Sequence, residues 1–327
     1  MKEVDVIDHV RSFAFSNGHL AWLTKDKNLF VDHRKQAENI EDFKLWKDQI
    51  ILQQATGLTM GPLVDFSPAC TIEGSFSLVL FQQTETAFFL TKSDNGASSF
   101  WSGSDNCVIR KIPSPAAMLK AVSSDILLAH RMTILSGHNP SDGATLWEVD
   151  YKQLLQTSSA QQVGRIVFYK NGIYVYLKEN ALSDRVVTFG IDKVTGAVLC
   201  RLEGFGGNMS LVGNKIYAVG RSFELLELDP DTREIKTYDF SRILDPKNLK
   251  LNWGKWQVNP DGLFYFIDGM RRKNRFGIID LHKEELLEVV EIKINDGIND
   301  NIVDLEQHEG RIYVHTSDDR LHIFEKD

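Results

Sequence analysis

The sequence predicts an all-β fold: a single closed, seven-bladed β-propeller of four-stranded antiparallel blades over residues 1–327. Three observations lead there. Short polar turns recur at nearly regular spacing, each turn precedes strands rich in Tyr, Phe, Val and Ile, and the two chain ends complement one another.

The turns stand near residues 17, 73, 124, 171, 213, 261 and 309, separated by 42 to 56 residues. The clearest unit starts at Asn171-Gly172 and runs IYVYLK, VVTFGID, the turn Lys193 to Gly196, and AVLCRLE. Asn-Gly between apolar runs is a strong hairpin signal, because both central residues of a type I′ turn need positive φ. Looser copies start at Asn17-Gly18, Glu73-Gly74, Ser124-Asp125, Gly213-Asn214, Asp261-Gly262 and Glu309-Gly310. A mean spacing of about 49 residues holds four strands of five or six residues and their turns. The first interval is the longest, so something is inserted near Lys47 to Pro62.

The last unit ends at RLHIFEKD with no partner for its outer edge. Lys2 to Ile7 alternates as KEVDVI ahead of the first hairpin and is expected to close the last blade as its outermost strand. Such closure removes an open seam.

The segments FFLTKSDNGASSFW, ILSGHNPSDGATLW and FGIDKVTGAVLC, ending at Trp101, Trp147 and Cys200, carry a strand, a D-x-x-T-G-like turn and a second strand. The pattern resembles the repeats of pyrroloquinoline-quinone-type propellers. That resemblance implies a fold. The adjacent cysteines of the family's quinone enzymes have no counterpart here, so no cofactor is expected. Trp46, Trp101 and Trp147 read as packing residues between blades, where an aromatic ring buries a large area.

Composition narrows the function classes. A net charge of −8 and a pI near 5.6 argue against an open duplex-binding surface. No apolar run approaches the ~20 residues that span a bilayer, and MKEVDVIDHV lacks the pattern of a secretory leader. Cys70, Cys107 and Cys200 are odd in number and far apart, which suits free thiols in a reducing compartment and a cytoplasmic location. The nine histidines form no metal-binding motif. His315 and His322 are placed to face each other across the last hairpin, but a metal would need a further ligand. Asp296 to Asn301 is oxygen-rich yet reads as an ordinary Asx turn. No catalytic or metal-ligating residue is nominated, and Gly204 to Asn208 reads as a tight inter-blade loop.

The candidate surface is the face carrying the loops between second and third strands and the loops between blades. It holds Arg131, Arg221, Arg271, Arg272 and Arg275, with Trp253 and Trp256 entering from LNWGKW. Arg and Trp are enriched where interfaces concentrate their binding energy. The expected function is a non-catalytic interaction module whose rim loops grip another protein, for example in an immunity- or antitoxin-like role, or hold a small anionic ligand. The alternative is a hydrolase or lyase acting on a sugar or lactone in a central channel.

Overall fold

The computed structural model describes the chain apart from residues 95–96, 105–107, 113–117, 181–185, 270–273, 295–300 and 326–327. Among the described residues the strands form eight antiparallel sheets. Blade 1 comprises Val10–Ser16, His19–Thr24, Leu29–Val31 and Arg34–Ala37, and blade 2 comprises Asp42–Trp46, Gln49–Gln54, Gly57–Pro62 and Cys70–Glu73. Blade 3 has Phe76–Gln83, Phe88–Asp94, Ala97–Gly103 and Ile109–Ile112; blade 4 has Met118–Ser123, Ile126–Arg131, Ile134–His138 and Thr145–Asp150. In blade 5 the first position is split between Gln161–Gln162 and Val167–Tyr169, followed by Gly172–Lys178, Val187–Asp192 and Val198–Glu203. Blade 6 is Ser210–Val212, Lys215–Val219, Glu224–Leu228 and Ile235–Asp239, and blade 7 is Leu251–Val258, Leu263–Asp268, Arg275–Asp280 and Glu285–Glu291. Blade 8 joins Ile302–His308, Arg311–Thr316 and Leu321–Glu325 to Lys2–Ile7.

The propeller therefore has eight blades, and the expected count of seven is corrected. The additional blade is blade 2, whose first hairpin turns at Lys47-Asp48 with no glycine. Lys47 nonetheless takes φ +55°. Blade 1 supports it: Ser16 Oγ donates to the Lys47 carbonyl at 2.6 Å, and the Asn17 amide donates to the Asp48 carboxylate. The Lys47 ammonium also lies 4.8 Å from the Trp46 ring centre, a cation–π contact. Glu73-Gly74, expected to open a blade, instead links blade 2 to blade 3. Blade 3 turns first at Thr84 to Ala87, where the Thr84 amide donates to the Ala87 carbonyl at 2.8 Å. Trp101 consequently falls on a third strand, whereas Trp147 and Cys200 fall on fourth strands.

The N-terminal strand closes the last blade as expected. Lys2 pairs with Glu325 and Ile7 with Leu321, and Glu3 meets His322 Nδ1 at 2.6 Å. His315 and His322 do not oppose one another: His322 pairs with Val314, and His315 with Leu321.

The chain divides into two compact units, one holding His9–Leu154 with Lys193–Gly196, the other Met1–Asp8, Leu155–Asp192 and Ala197–Asp327. In the first, Trp46 is buried and its Nε1–H donates to the Thr84 carbonyl of blade 3 at 2.8 Å, with its ring edge-on to Phe88. Trp147 Nε1–H donates to the Lys193 carbonyl at 2.9 Å, and the bare α-carbon of Gly196 admits the indole. Trp46 and Trp147 thus join neighbouring blades as the sequence suggests; Trp101 packs edge-on against Phe76 of its own blade.

In the second unit, shared cores fill the spaces between blades 5 and 6, 6 and 7, and 7 and 8. Gly172–Lys178 is buried almost throughout, because a middle strand has apolar neighbours on both faces. Fourth strands such as Val198–Glu203 and Lys2–Ile7 are sheet edges and are largely exposed and charge-bearing.

Candidate functional site

Three adjoining blades of the second unit build an open cleft of about 1020 Å³. Its first wall is the end of blade 5's second strand. Alternation along a strand puts Tyr176 and Lys178 on the same face, and both line the cleft. Tyr176 is 5% exposed, and burial pushes its phenol up to about 12, so it remains a hydroxyl donor at neutral pH.

The floor is the Gly204–Asn208 segment. A Cβ on Gly206 would lie 2.4 Å from the Tyr176 ring, and one on Gly207, at φ +136°, would lie 2.7 Å from the Val219 carbonyl oxygen. These glycines let the backbone pass beneath an aromatic ring and against the neighbouring strand. The expected tight inter-blade loop is present, and it seats Tyr176.

The second wall is the turn between blade 6's second and third strands. Gly220 N–H donates to the Glu224 carbonyl at 2.9 Å and Glu224 N–H to the Arg221 carbonyl at 3.1 Å, which closes the turn and leaves the Arg221 side chain exposed. Leu251 N–H donates to the Ser222 carbonyl at 2.7 Å, anchoring the start of blade 7 to this turn.

Trp253 forms the lip. The ladder between blade 7's first and second strands slips between Leu251 and Trp256. Within that slip Asn252 Oδ1 accepts from Gly254 N–H at 3.0 Å, and the Asn208 amide donates to the Gly254 carbonyl at 3.1 Å. Irregular strands of this kind redirect side chains. Trp253 stands 54% exposed at the cleft.

Among the described residues Lys178 and Arg221 have no carboxylate within ion-pair distance. Glu203, also on the lining, pairs with Arg201 at 2.6 Å.

The structure brings together two of the residues nominated from sequence, Arg221 and Trp253. Trp256 is half-buried, donates to the Trp253 carbonyl at 3.1 Å and packs on Phe264, so it supports the lip from beneath. Arg275 is engaged internally: it donates to Asp268, itself fully buried, and to the Asn248 carbonyl at 2.7 Å. Arg131 ends blade 4's second strand, in the other unit, and is exposed. Arg271 and Arg272 lie outside the described residues, as do positions 296–300 of the oxygen-rich turn. Sequence reading did not nominate Tyr176 or Lys178, although the Tyr-x-Lys spacing at a strand end was available as a signal.

No family model matches the chain, and no curated protein is similar to it in sequence. Solved structures are similar in fold. Sqt1 of Saccharomyces cerevisiae superposes with a TM-score of 0.67 at 10% identity, over 99% of each chain. The computationally designed Ika8 protein gives 0.64 at 10% identity, over 98% of this chain and 96% of that one. The dihydro-heme d1 dehydrogenase NirN, in complex with DHE, gives 0.57 at 12% identity, over 86% of this chain and 66% of that one. Identities this low establish the propeller fold alone.

Proposed function

We propose that this chain is a non-catalytic interaction propeller that grips a protein partner through the connections around the blade 5–7 cleft. The observation that carries the reading is Trp253, a large rigid side chain left half in solvent on the same cleft as Arg221, which has no carboxylate within ion-pair distance among the described residues. Exposing an indole has a solvation cost, and Trp and Arg are both enriched where interfaces concentrate their energy. The strand slip and the Asn208–Gly254 bond hold Trp253 in place before any partner arrives, which lowers the ordering cost of binding. Propellers of many functions share this fold, so the cleft and not the architecture supports a binding role. The same reading takes the chain to be cytoplasmic, where Cys70 and Cys200 stay as thiols; an immunity- or antitoxin-like role is one form of it. Arg131, Arg271 and Arg272 are kept as separate candidate contacts.

The test is quantitative affinity capture from the native host, comparing the unaltered chain with Trp253→Ala and Arg221→Glu. A specific partner should be retained by the unaltered chain and fall about tenfold or more with either variant, since truncating a central anchor costs about 2 kcal/mol or more. Equal recovery by all three proteins, with unchanged melting temperatures, would remove the cleft from the binding surface.

A further inference from the structure

The described lining of the cleft includes the hydrogen-bond donors Tyr176, Lys178, Arg221 and Ser222. Tyr176 lines the cavity with its side chain about nine-tenths buried, and its hydroxyl has no protein hydrogen-bond partner among the described residues. On the walls stand the Lys178 ammonium and the Arg221 guanidinium. Of the two acids on the lining, Glu203 is neutralised by Arg201, which leaves Glu224 against two cations. Among the described residues the local balance is thus one positive charge, in a chain whose formal charge is −8. Cations elsewhere in this protein, such as Lys27, Lys170, Lys215 and Arg311, are paired with carboxylates at 2.6 to 2.7 Å. Beside the donors the lining is apolar, with Val163, Val186, Val219 and Leu251, and Trp253 rises at the lip.

Taking the cleft as the partner site, we propose that it receives the side-chain carboxylate of an acidic peptide segment of that partner. Tyr176, Lys178 and Arg221 donate to the carboxylate, and an adjacent apolar residue packs on Trp253. A carboxylate carries one negative charge and accepts several hydrogen bonds from a guanidinium, an ammonium and a phenol together. A phosphate brings up to two negative charges and three acceptor oxygens, more charge than a lining with one net positive charge among the described residues balances. The Tyr176 ring packs directly on Gly206, whose bare α-carbon admits it.

The experiment is selection from a displayed library of random nine-residue peptides, on the full chain and on the Lys178→Glu/Arg221→Glu double variant. The full chain should enrich Asp or Glu next to an aromatic or aliphatic residue, and the double variant should not. An enriched peptide is then synthesised with glutamate, glutamine or phosphoserine at the acidic position and titrated by calorimetry. Glutamine should weaken binding about tenfold or more, and Tyr176→Phe should weaken the glutamate peptide by about tenfold while leaving the glutamine peptide unchanged. Tyr176→Phe keeps the ring, so it decides the question even where the double variant melts early. Absence of acidic enrichment, equal affinity for glutamine and glutamate, or a phosphoserine peptide binding more than tenfold tighter would each overturn the proposal. If Trp253→Ala abolishes capture of the natural partner while Lys178→Glu and Tyr176→Phe leave it intact, the carboxylate site falls and the interaction reading stands.

Discussion

Glu306 sits largely buried on the first strand of blade 8, with Asp304, Lys255 and Arg165 as its charged surroundings. Burial, and then the Asp304 charge, pushes its carboxyl up to about 7 from an ordinary 4.5, against the opposing pull of Lys255 and Arg165. Lys255 is already bonded to Asp304 at 2.9 Å, so its help to Glu306 is divided. Below pH 4.5 the folded and unfolded chains both hold the proton, and the group has no effect on stability. Between 4.5 and 7 the unfolded chain releases the proton while the folded chain keeps it, so stability falls as pH rises; above 7 the penalty is constant. At about 1.4 kcal/mol per pH unit, and allowing for partial solvent access, the full penalty is about 2–3 kcal/mol. Glu306→Gln removes the ionisation while keeping the shape. The variant should therefore match the parent within about 1 kcal/mol at pH 5 and exceed it by about 2–3 kcal/mol at pH 8. Urea denaturation followed by tryptophan fluorescence at pH 5, 6.5 and 8 measures this, and the difference between the two proteins cancels the other groups that titrate in the window. A difference that stays constant across pH, or a variant less stable than its parent at pH 8, would refute the account.

Gly206→Ala should cost about 2 kcal/mol by forcing a methyl into the Tyr176 ring, and calorimetric melting should show it to be worse than Gly204→Ala. Gly204 has φ +77° but nothing within 4 Å of a Cβ, so its cost should be about 1 kcal/mol. Equal costs would mean that the ring yields freely. Removing residues 1–7 strips the fourth strand from blade 8 and bares the Leu321–Glu325 edge. Light scattering should then show concentration-dependent association, as unpaired edges promote; a truncated chain that stays monomeric with an unchanged melting temperature would contradict this role for the strand.

Most turns that carry their own chemistry were legible, although the one expected at Asn171-Gly172 falls one residue earlier: Tyr169 pairs with Gly172, so Lys170, at φ +51°, and Asn171 make the turn. Asn17-Gly18, Gly213-Asn214 and Glu309-Gly310 all lie between the first two strands of a blade, with Gly18, Gly213 and Gly310 at positive φ. The Lys47-Asp48 turn was not legible in those terms, because its conformation is held by Ser16 and Asn17 of the preceding blade. Nor was the Thr84–Ala87 turn, which the Thr84 side chain stabilises by accepting from the Ala87 amide at 3.1 Å. With both turns unmarked, three short blades between residues 10 and 112 read as two long ones.

The candidate site divides in the same way. Arg221 and Trp253 stood out by residue type on loops, but Tyr176 looked like any other core aromatic in an apolar strand. Arg275 stood out equally and is occupied by Asp268 and the Asn248 carbonyl.

The sequence by itself determined the all-β class, the repeated hairpin and the N-terminal closing strand, since alternation and turn chemistry act over a few neighbouring residues. Only the tertiary structure decided the number of blades and which charged and aromatic side chains meet in one cleft. Those depend on contacts between residues about 30 positions apart or more, such as Asn17 with Asp48 and Asn208 with Gly254, and long-range contacts leave no periodic trace in a single chain.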